Sequence, residues 1–224
     1  MIIAIDGPAG SGKSTTAKKI SEKTGFIHIN TGLMYRSIAL KCFQGNIDCK
    51  SIIQVKKMLN ETIFDLSDDQ ESCMMMDNSK ISNLVTHKAV TDLVSKISAI
   101  GIIREKLVDF QREMAKDRNV VLEGRDIGTV VFPNADYKFF LVADISERAK
   151  RRLNELNREG ESISLEDMIG LIEKRDAFDS SREFSPLKKA DDAIEIDTTH
   201  LTLNDQVNRI IEIIKLKNRS KTQK

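Results

Sequence analysis

Apolar runs of strand length alternate with segments of helical periodicity along most of the 224-residue chain. The runs long enough for a buried strand are residues 2–5, 26–29, 119–123, 137–142 and 193–197. Helical patterns occupy residues 15–23, 34–43, 88–117, 146–157, 165–180 and 203–217. Because strands separated by helices pair in parallel and are covered on both faces, the pattern predicts an α/β fold with a five-stranded parallel sheet.

The interval from about residue 46 to residue 85, here called the insert, breaks this rhythm. Residues 62–66 and 73–77 are short apolar stretches joined by the polar residues 67–71, and we expect them to pair as antiparallel strands. The methionines at 74–76 are more typical of core packing than of a sulfur-ligand site, because methionine fills irregular gaps. The chain length suits a single domain, residues 1–224, that carries this insert.

The first strand leads into a glycine-rich loop that fits the pattern G-x-x-x-x-G-K-[ST]. Glycines let backbone N–H groups approach phosphate oxygens, and the N-terminus of the following helix adds partial positive charge. We expect Lys13 to reach the β- and γ-phosphates of a nucleoside triphosphate, and the Ser14 hydroxyl to bind Mg²⁺. The predicted triphosphate site comprises Gly7, Pro8, Ala9, Gly10, Ser11, Gly12, Lys13, Ser14 and Thr15.

Composition and charge exclude several classes of protein. The net charge is +1 and aromatic residues make up 5%, which disfavours a nucleic-acid-binding module. No apolar run approaches ~20 residues, so we expect no membrane span. The three cysteines show no C-x-x-C spacing and indicate free thiols in a reducing cytoplasm. Nothing in the sequence demands an oligomer, and we expect a monomer.

Three polar clusters follow the predicted elements and narrow the choice among phosphate-loop proteins. They are residues 30–36 after the second strand, residues 123–129 after the third strand, and residues 174–182 on a helix. In the last cluster Arg175, Asp179 and Arg182 share one helix face. Each cluster by itself could be a set of surface ion pairs. Together, several arginines at one sheet edge favour a second substrate with its own phosphate, held by bidentate guanidinium contacts.

The motifs resemble those of the bacterial cytidylate kinase family of nucleoside monophosphate kinases. The matching stretches run in family order from residue 2 to about residue 200. They are I-D-G-P-A-G-S-G-K-S-T (5–15), N-T-G-L-M-Y-R (30–36), E-G-R-D-I-G-T-V-V-F-P (123–133), E-R-A-K-R-R (147–152), K-R-D with the following D and R (174–182), and S-P-L (185–187). The G-R-D-I-G-T-V-V-F-P block is highly specific, whereas the phosphate loop by itself is not.

This resemblance implies a phosphate-loop kinase fold with a small inserted monophosphate-binding module, within about residues 33–100, and a lid at about residues 148–162. It implies transfer of the γ-phosphoryl group of ATP to CMP, and to dCMP, with Mg²⁺. Lys13, Arg125 and Arg182 would be catalytic. The residues implied for CMP are Thr31, Arg36, Arg125 and Arg182 at the phosphate, Ser95, Arg104 and Asp126 at the cytosine, and Arg175 and Asp179 at the sugar.

Two positions depart from the family pattern, and three arginines are lid candidates. Asn30 stands where the family often has Asp, and residues 84–86 read L-V-T where the family often has I-R-T. A lid should close over ATP because hydrolysis would otherwise compete with transfer. The candidates for it are Arg151, Arg152 and Arg158, with Gly160 as a hinge.

Other functions remain open from the sequence. A related small-molecule kinase acting on UMP, shikimate or dephospho-coenzyme A would share the loop, although Asp126 and the downstream arginines favour CMP. A GTP-binding switch would need an N-K-x-D guanine reader, and the chain contains no such tetrapeptide. The scattered histidines His28, His87 and His200 adjoin no metal-ligand pattern, and no role is assigned to them.

Overall fold

A computed structural model of the chain describes residues 1–66, 74–81, 85, 88–158 and 163–222. The central sheet contains β1 (Ile2–Asp6), β2 (Ile27–Asn30), β6 (Val120–Gly124), β7 (Tyr137–Val142) and β8 (Ile194–Asp197). The helices are α1 (Lys13–Thr24), α2 (Thr31–Gln44), α3 (Ile52–Asn60), α4 (Lys88–Ile97), α5 (Gly101–Ala115), α6 (Ile145–Arg158), α7 (Leu165–Ser181) and α8 (Leu203–Thr222).

The five-stranded sheet is parallel throughout, in the order β2-β6-β1-β7-β8. This confirms the predicted fold class. The chain crosses from β1 past β6 to β2, and from β6 past β1 to β7, so its direction of winding reverses beside β1. Ligands of open parallel sheets bind at the carboxyl ends of the strands where winding reverses. The phosphate loop leaves the carboxyl end of β1, so it lies at this position.

Strand side chains alternate between two hydrophobic cores, as the pleat of a strand requires. Ala4, Ile29, Val120 and Leu122 face a core shared with α2, α4 and α5. Their neighbours in sequence, such as Ile3, Ile5 and Val121, face a core shared with α1 and α8. Because both faces are covered, the inner strands β1, β6 and β7 are apolar at most positions, which explains why their runs are visible in the sequence.

Helices α6 and α7 pack on each other around a third, smaller core. Its buried residues are Ala149, Met168 and Ile172. The phosphate-loop residue Ala9 packs against the same cluster. This pair of helices, here called the α6–α7 hairpin, therefore has its own apolar centre and touches the phosphate loop directly.

The predicted helix over residues 88–117 is wrong in one respect, since it is two helices. Helix α4 ends at Ile97 and α5 begins at Gly101. The carbonyl oxygen of Ser98, in the break, accepts a hydrogen bond from Arg104 at 2.9 Å. This hydrogen bond from the Arg104 side chain thus stabilises the turn, although the apolar pattern continues across it.

The insert contains more structure than predicted. Strands β3 (Phe64–Leu66) and β4 (Met74–Met76) are antiparallel, as expected, but a third strand, β5 (Ser79–Lys80), joins them. Helix α3 was not predicted, because Ile52 and Ile53 at its start are exposed and blur its apolar stripe. The predicted linker at residues 67–71 and Cys73 lie outside the described residues.

Besides the shared hydrophobic core, a lysine of α2 makes polar contacts with the insert. The ammonium group of Lys41 donates to the Glu61 carbonyl oxygen at 3.1 Å and the Thr62 hydroxyl at 2.8 Å. It also pairs with the Asp77 carboxylate at 2.6 Å.

None of the helices in the described part of the chain has the length and apolar character needed to cross a bilayer.

We expect Lys41→Met to lower the free energy of unfolding by about 1 kcal/mol, because it removes one partly buried and two exposed hydrogen bonds. Urea unfolding measures this change. Lys56→Met makes the same chemical change at an exposed position on α3 and should shift the free energy by less than about 0.5 kcal/mol. Equal losses in the two variants would contradict the role of Lys41.

Candidate active site

The phosphate loop has the backbone geometry that its glycines predict. Gly7, Gly10 and Gly12 have φ angles of 147°, 73° and 88°, values that side-chain-bearing residues rarely adopt. A Cβ atom at Gly7 would lie 2.1 Å from the Leu141 carbonyl oxygen. The first turn of α1 then presents Ser14 and Thr15 at the surface. The loop is therefore open toward solvent at its helix end, where a phosphate would enter.

Lys13 lies inside the loop and is only 5% exposed. Its ammonium group donates to the Pro8 carbonyl oxygen at 2.7 Å and lies 3.4 Å from the Ser11 hydroxyl. Burial, followed by the nearby Arg125 guanidinium, lowers the Lys13 pKa to about 7, although the carboxylates of Glu123 and Asp6 oppose the shift. A phosphate group arriving in the loop would restore the charge that burial disfavours.

Asp6, at the end of β1, fixes the segment that follows β6. Its two carboxylate oxygens accept the backbone N–H groups of Ile127 at 2.9 Å and Gly128 at 2.7 Å. These residues begin a π-helical turn, Ile127–Val131, a feature often found at functional sites. Burial raises the Asp6 pKa to about 6, although the two N–H donors oppose the shift. Asp6 thus joins the start of the phosphate loop to the segment that follows Arg125 and Asp126.

Asp179 gathers the arginines that were predicted to hold the acceptor. Its side chain is almost fully buried. The Arg125 Nε donates to one carboxylate oxygen at 2.9 Å, and the Arg182 guanidinium lies 3.6 Å from the other. Arg175 lies 3.9 Å away. Burial lowers the pKa of both Arg175 and Arg182. A neighbouring guanidinium group adds to the shift, that of Arg125 for Arg175 and that of Arg104 for Arg182, while the Asp179 carboxylate opposes it.

Arg104 and Asp126 form a buried ion pair next to this cluster. The Arg104 guanidinium also lies 5.3 Å from the centre of the Tyr35 ring, and its Nε is buried without a hydrogen-bond partner among the described residues. Electrostatic contact links Arg182 to Arg104, Asp126 and Tyr35. The half-buried Ser95 reaches this group only indirectly, since its carbonyl oxygen accepts from the Ser98 hydroxyl at 2.9 Å.

The residues of α2 that were predicted to hold the acceptor phosphate are Thr31 and Arg36, and Asn30 caps the same helix. The Asn30 side chain caps α2 by accepting the Leu33 N–H at 3.1 Å, a role that Asn fills as well as Asp. The Thr31 hydroxyl donates to the Glu123 carbonyl oxygen at 2.7 Å. Arg36 donates to the Thr91 hydroxyl at 3.0 Å and to the Val85 carbonyl oxygen at 3.3 Å. Arg36 therefore joins α2 to α4, while phosphate contacts of Thr31 and Arg36 stay predictions.

The lid candidates have different surroundings. Arg151 pairs with Glu147 at 3.1 Å and donates to the Thr198 carbonyl oxygen at 2.6 Å. Arg152 pairs with Glu155 at 2.6 Å on the surface of α6. The side chain of Arg158 and the whole of Gly160 lie outside the described residues. Arg151 thus fastens α6 to the end of β8, and the lid stays a prediction.

Sequence reasoning gave no role to four residues that the structure places at the phosphate loop. Asp6 and Glu123 lie at the carboxyl ends of β1 and β6, as the last residue and the last but one, and both are close enough to Lys13 to influence its pKa. Arg148 and Asp176 bind the backbone of Ala9. A carboxylate that ends an apolar parallel strand was a usable signal for the first two, whereas the second pair depends on tertiary contacts.

Comparison with known proteins identifies the family. The family model described as cytidylate kinase matches residues 3–216. The cytidylate kinase of Fusobacterium nucleatum is 45% identical over 210 residues, covering 94% of this chain and 95% of that protein. The cytidylate kinase of Acholeplasma laidlawii is 43% identical, with 95% and 94% covered. The chain belongs to the cytidylate kinase family.

Solved structures with low sequence identity confirm the fold. A shikimate kinase from Bacteroides thetaiotaomicron aligns with a TM-score of 0.51 at 13% identity, covering 96% of this chain and 98% of that one. An uncharacterized protein from Eubacterium ventriosum aligns with a TM-score of 0.51 at 18% identity, with the same coverage. These likenesses describe the architecture, whereas the sequence relatives place the chain in the cytidylate kinase family.

The raised pKa of Asp6 predicts a specific pH dependence. As the pH falls through about 6, the folded protein binds a proton at Asp6 that the unfolded chain, with a pKa near 3.8, does not yet bind. The cost of burying this carboxylate, about 3 kcal/mol, is therefore present above pH 6 and relieved toward pH 4. In a carbon-detected NMR titration we expect the Asp6 carboxyl to titrate near 6.

Asp197 serves as the internal control in the same spectra. Its pKa is lowered because Thr199 donates to it from its hydroxyl and backbone N–H groups. A midpoint for Asp6 at or below that of Asp197 would contradict the buried environment described for Asp6.

Proposed function

We propose that the protein transfers the γ-phosphoryl group of ATP to CMP, giving ADP and CDP, and that dCMP is a second acceptor. One observation carries the proposal. Lys13 in the phosphate loop lies close enough to Arg125 for their charges to interact, and Asp179 joins Arg125 to Arg182. Two phosphates, one in the loop and one on the arginines, would then face each other, and membership of the cytidylate kinase family supports the choice of acceptor.

The acceptor phosphate is the nucleophile in this reaction. Its second pKa is about 6, so it is mostly a dianion at neutral pH and needs no strong general base. Catalysis then consists of alignment and charge neutralisation. Lys13 binds the β- and γ-phosphates of ATP, while Arg36, Arg125 and Arg182 hold the acceptor and offset charge on the transferring group. Thr31 contributes to the same grip from the start of α2.

Asp126, Arg104 and Ser95 are proposed to read the cytosine ring. The exocyclic amine of cytosine is a donor that a carboxylate accepts, whereas uracil has a carbonyl oxygen at this position. Arg104 holds the Asp126 carboxylate and so fixes its orientation. Arg175 and Asp179 are proposed to contact the sugar. The helix α7 would then serve both the sugar and the phosphate.

Oxygen donors near the loop fit a Mg²⁺ ion. The Ser14 hydroxyl is exposed at the start of α1, and the Glu123 Oε1 is buried without a hydrogen-bond partner among the described residues. Mg²⁺ prefers oxygen ligands and is commonly held by one or two protein groups together with substrate phosphates. When bound, the ion neutralises charge on the β- and γ-phosphates of ATP. Ser14 and Glu123 would hold it there.

The insert and the lid are proposed to act as moving parts of one kinase domain. Residues 33–100, with the insert, would bind the monophosphate, and residues 148–162 would form the lid with Arg151, Arg152 and Arg158. We propose that the protein works as a monomer in the cytoplasm, without nucleic-acid or membrane partners.

A coupled assay of ADP release with ATP, Mg²⁺ and a panel of acceptors tests the proposed function. The panel contains CMP, dCMP, UMP, shikimate and dephospho-coenzyme A. We expect kcat/KM for CMP to exceed that for UMP by about tenfold or more, because uracil would leave buried acceptors unpaired. Preferred turnover of shikimate or dephospho-coenzyme A would reject CMP as the substrate.

Asp126→Asn should reduce the preference of the enzyme for CMP over UMP. The amide can donate to the uracil carbonyl, so we expect the CMP to UMP ratio of kcat/KM to fall about tenfold. The ratio is measured within one variant, so it is insensitive to the amount of folded protein. Glu105→Gln makes the same change at an exposed position on α5 and should leave the ratio unaltered.

Arg182→Ala should lower turnover far more than it lowers ATP affinity. An arginine that stabilises charge in phosphoryl transfer contributes about 10³–10⁵ in rate. We therefore expect kcat to fall by about 10³ or more while the KM for ATP changes by less than about threefold. Steady-state kinetics with ATP varied at saturating CMP measures both, and equal losses would remove Arg182 from the catalytic set.

A further inference from the structure

The backbone of Ala9, in the phosphate loop, is held on both sides by one ion pair from the α6–α7 hairpin. The Ala9 N–H donates to the Asp176 carboxylate at 3.0 Å. The Ala9 carbonyl oxygen accepts from the Arg148 guanidinium at 2.9 Å. Arg148 and Asp176 also pair directly with each other, and both side chains are largely buried. Arg148 comes from α6 and Asp176 from α7.

These two contacts fix two successive peptide groups, because each peptide is planar and trans. The N–H of Ala9 points to Asp176, so the Pro8 carbonyl oxygen of the same peptide points the opposite way. That oxygen accepts from the Lys13 ammonium group at 2.7 Å. The Ala9 carbonyl points to Arg148, so the Gly10 N–H points away from Arg148. One ion pair therefore sets the directions of the Lys13 acceptor and of a loop N–H donor.

Packing reinforces the same connection. Ala9 contacts the apolar core of the hairpin. A Cβ atom added at Gly10 would lie 2.8 Å from the Arg148 carbonyl oxygen and 3.0 Å from the Arg148 Cβ, so the loop and α6 meet at close range. The Arg148 Nε also donates to the Ala143 carbonyl oxygen at 3.1 Å, which fixes the guanidinium beside the end of β7. The loop cannot change its shape here without moving the hairpin.

We propose that Arg148 and Asp176 are positioning residues that hold the phosphate loop in its nucleotide-binding shape and couple the α6–α7 hairpin to the donor site. Neither side chain needs to touch the nucleotide. Helix α7 carries Asp176, which holds the phosphate loop, and also Arg175 and Asp179, which belong to the arginine cluster. The helix that gathers the acceptor arginines therefore also orients the phosphate loop. The inference rests on the proposed function, in which the phosphate loop binds ATP, the phosphoryl donor.

Two substitutions at Asp176 separate the hydrogen bond from the charge. Asp176→Ala removes the acceptor for the Ala9 N–H and the partner of Arg148, and we expect the Kd for ADP and the KM for ATP to rise about tenfold. Asp176→Asn keeps an acceptor oxygen for Ala9 while it weakens the pairing with Arg148, and we expect a rise of about threefold. The KM for CMP should change by less than twofold in both.

Arg148→Ala and the double variant Arg148→Ala/Asp176→Ala test whether the pair acts as a unit. Because both residues hold the same peptide groups, we expect the double variant to bind ADP no more weakly than the worse single variant, instead of multiplying the two losses. Lys189→Gln is the matched control, since it removes an exposed ion pair, Lys189–Glu195, that does not include a loop residue. Its Kd for ADP should equal that of the unchanged protein.

Calorimetric titration with ADP, without CMP, keeps this test separate from the test of function. Wild-type protein that binds ADP but does not phosphorylate CMP would refute the proposed acceptor and leave the positioning role measurable. A purely structural pair would lower the thermal midpoint but leave the Kd for ADP unchanged at temperatures where all variants are folded. Values within twofold of wild type for folded Asp176→Ala and Asp176→Asn would overturn the proposal, as would equal losses in the CMP and ATP parameters.

Discussion

The buried carboxylate of Asp179 is the group on which the acceptor end of the site depends. It lies among the guanidinium groups of Arg125, Arg175 and Arg182, and one negative charge cannot neutralise three positive ones. Removing an ion from water costs several kcal/mol even after relaxation, so the remaining positive charge favours any anion that can enter. A dianionic phosphate would supply the negative charge that the cluster lacks. The incompletely compensated charge of this cluster would thus favour the proposed acceptor phosphate.

The donor end follows the same principle with a different cation. Lys13 is buried deeply enough that its pKa falls to about 7, and its ammonium group is retained by the Pro8 carbonyl oxygen and nearby carboxylates. A triphosphate would replace these weak partners with stronger ones. Because Arg125 also interacts with Lys13, the two cationic regions repel each other when no anion is bound. Substrates that bring negative charge to both regions relieve this repulsion, so the ends of the site are electrostatically coupled.

Features determined by neighbouring residues could be predicted from the sequence. The sheet was visible because its inner strands, buried on both faces, are apolar at most positions, and the phosphate loop is contiguous. The break between α4 and α5 was not visible, because the apolar spacing continues through Ile97, Ile100 and Ile103 while the Ser98 carbonyl is held by Arg104. Helix α3 was missed since Ile52 and Ile53 point to solvent.

The sequence predicts which residues belong to the candidate site, but it does not predict which of them contact each other. Motifs and family resemblance brought Arg104, Asp126 and Thr31 to the acceptor side, yet gave no indication that Arg104 would hold Asp126 or that the Thr31 hydroxyl would donate to Glu123. Which cation meets which carboxylate depends on distances that only the folded chain defines. This pairing matters for specificity, because a carboxylate fixed by Arg104 still has about three of its four acceptor positions for other donors. An amine can use them and a carbonyl oxygen cannot, so at the proposed cytosine site the ion pair would orient the carboxylate and leave it able to accept from the cytosine amine.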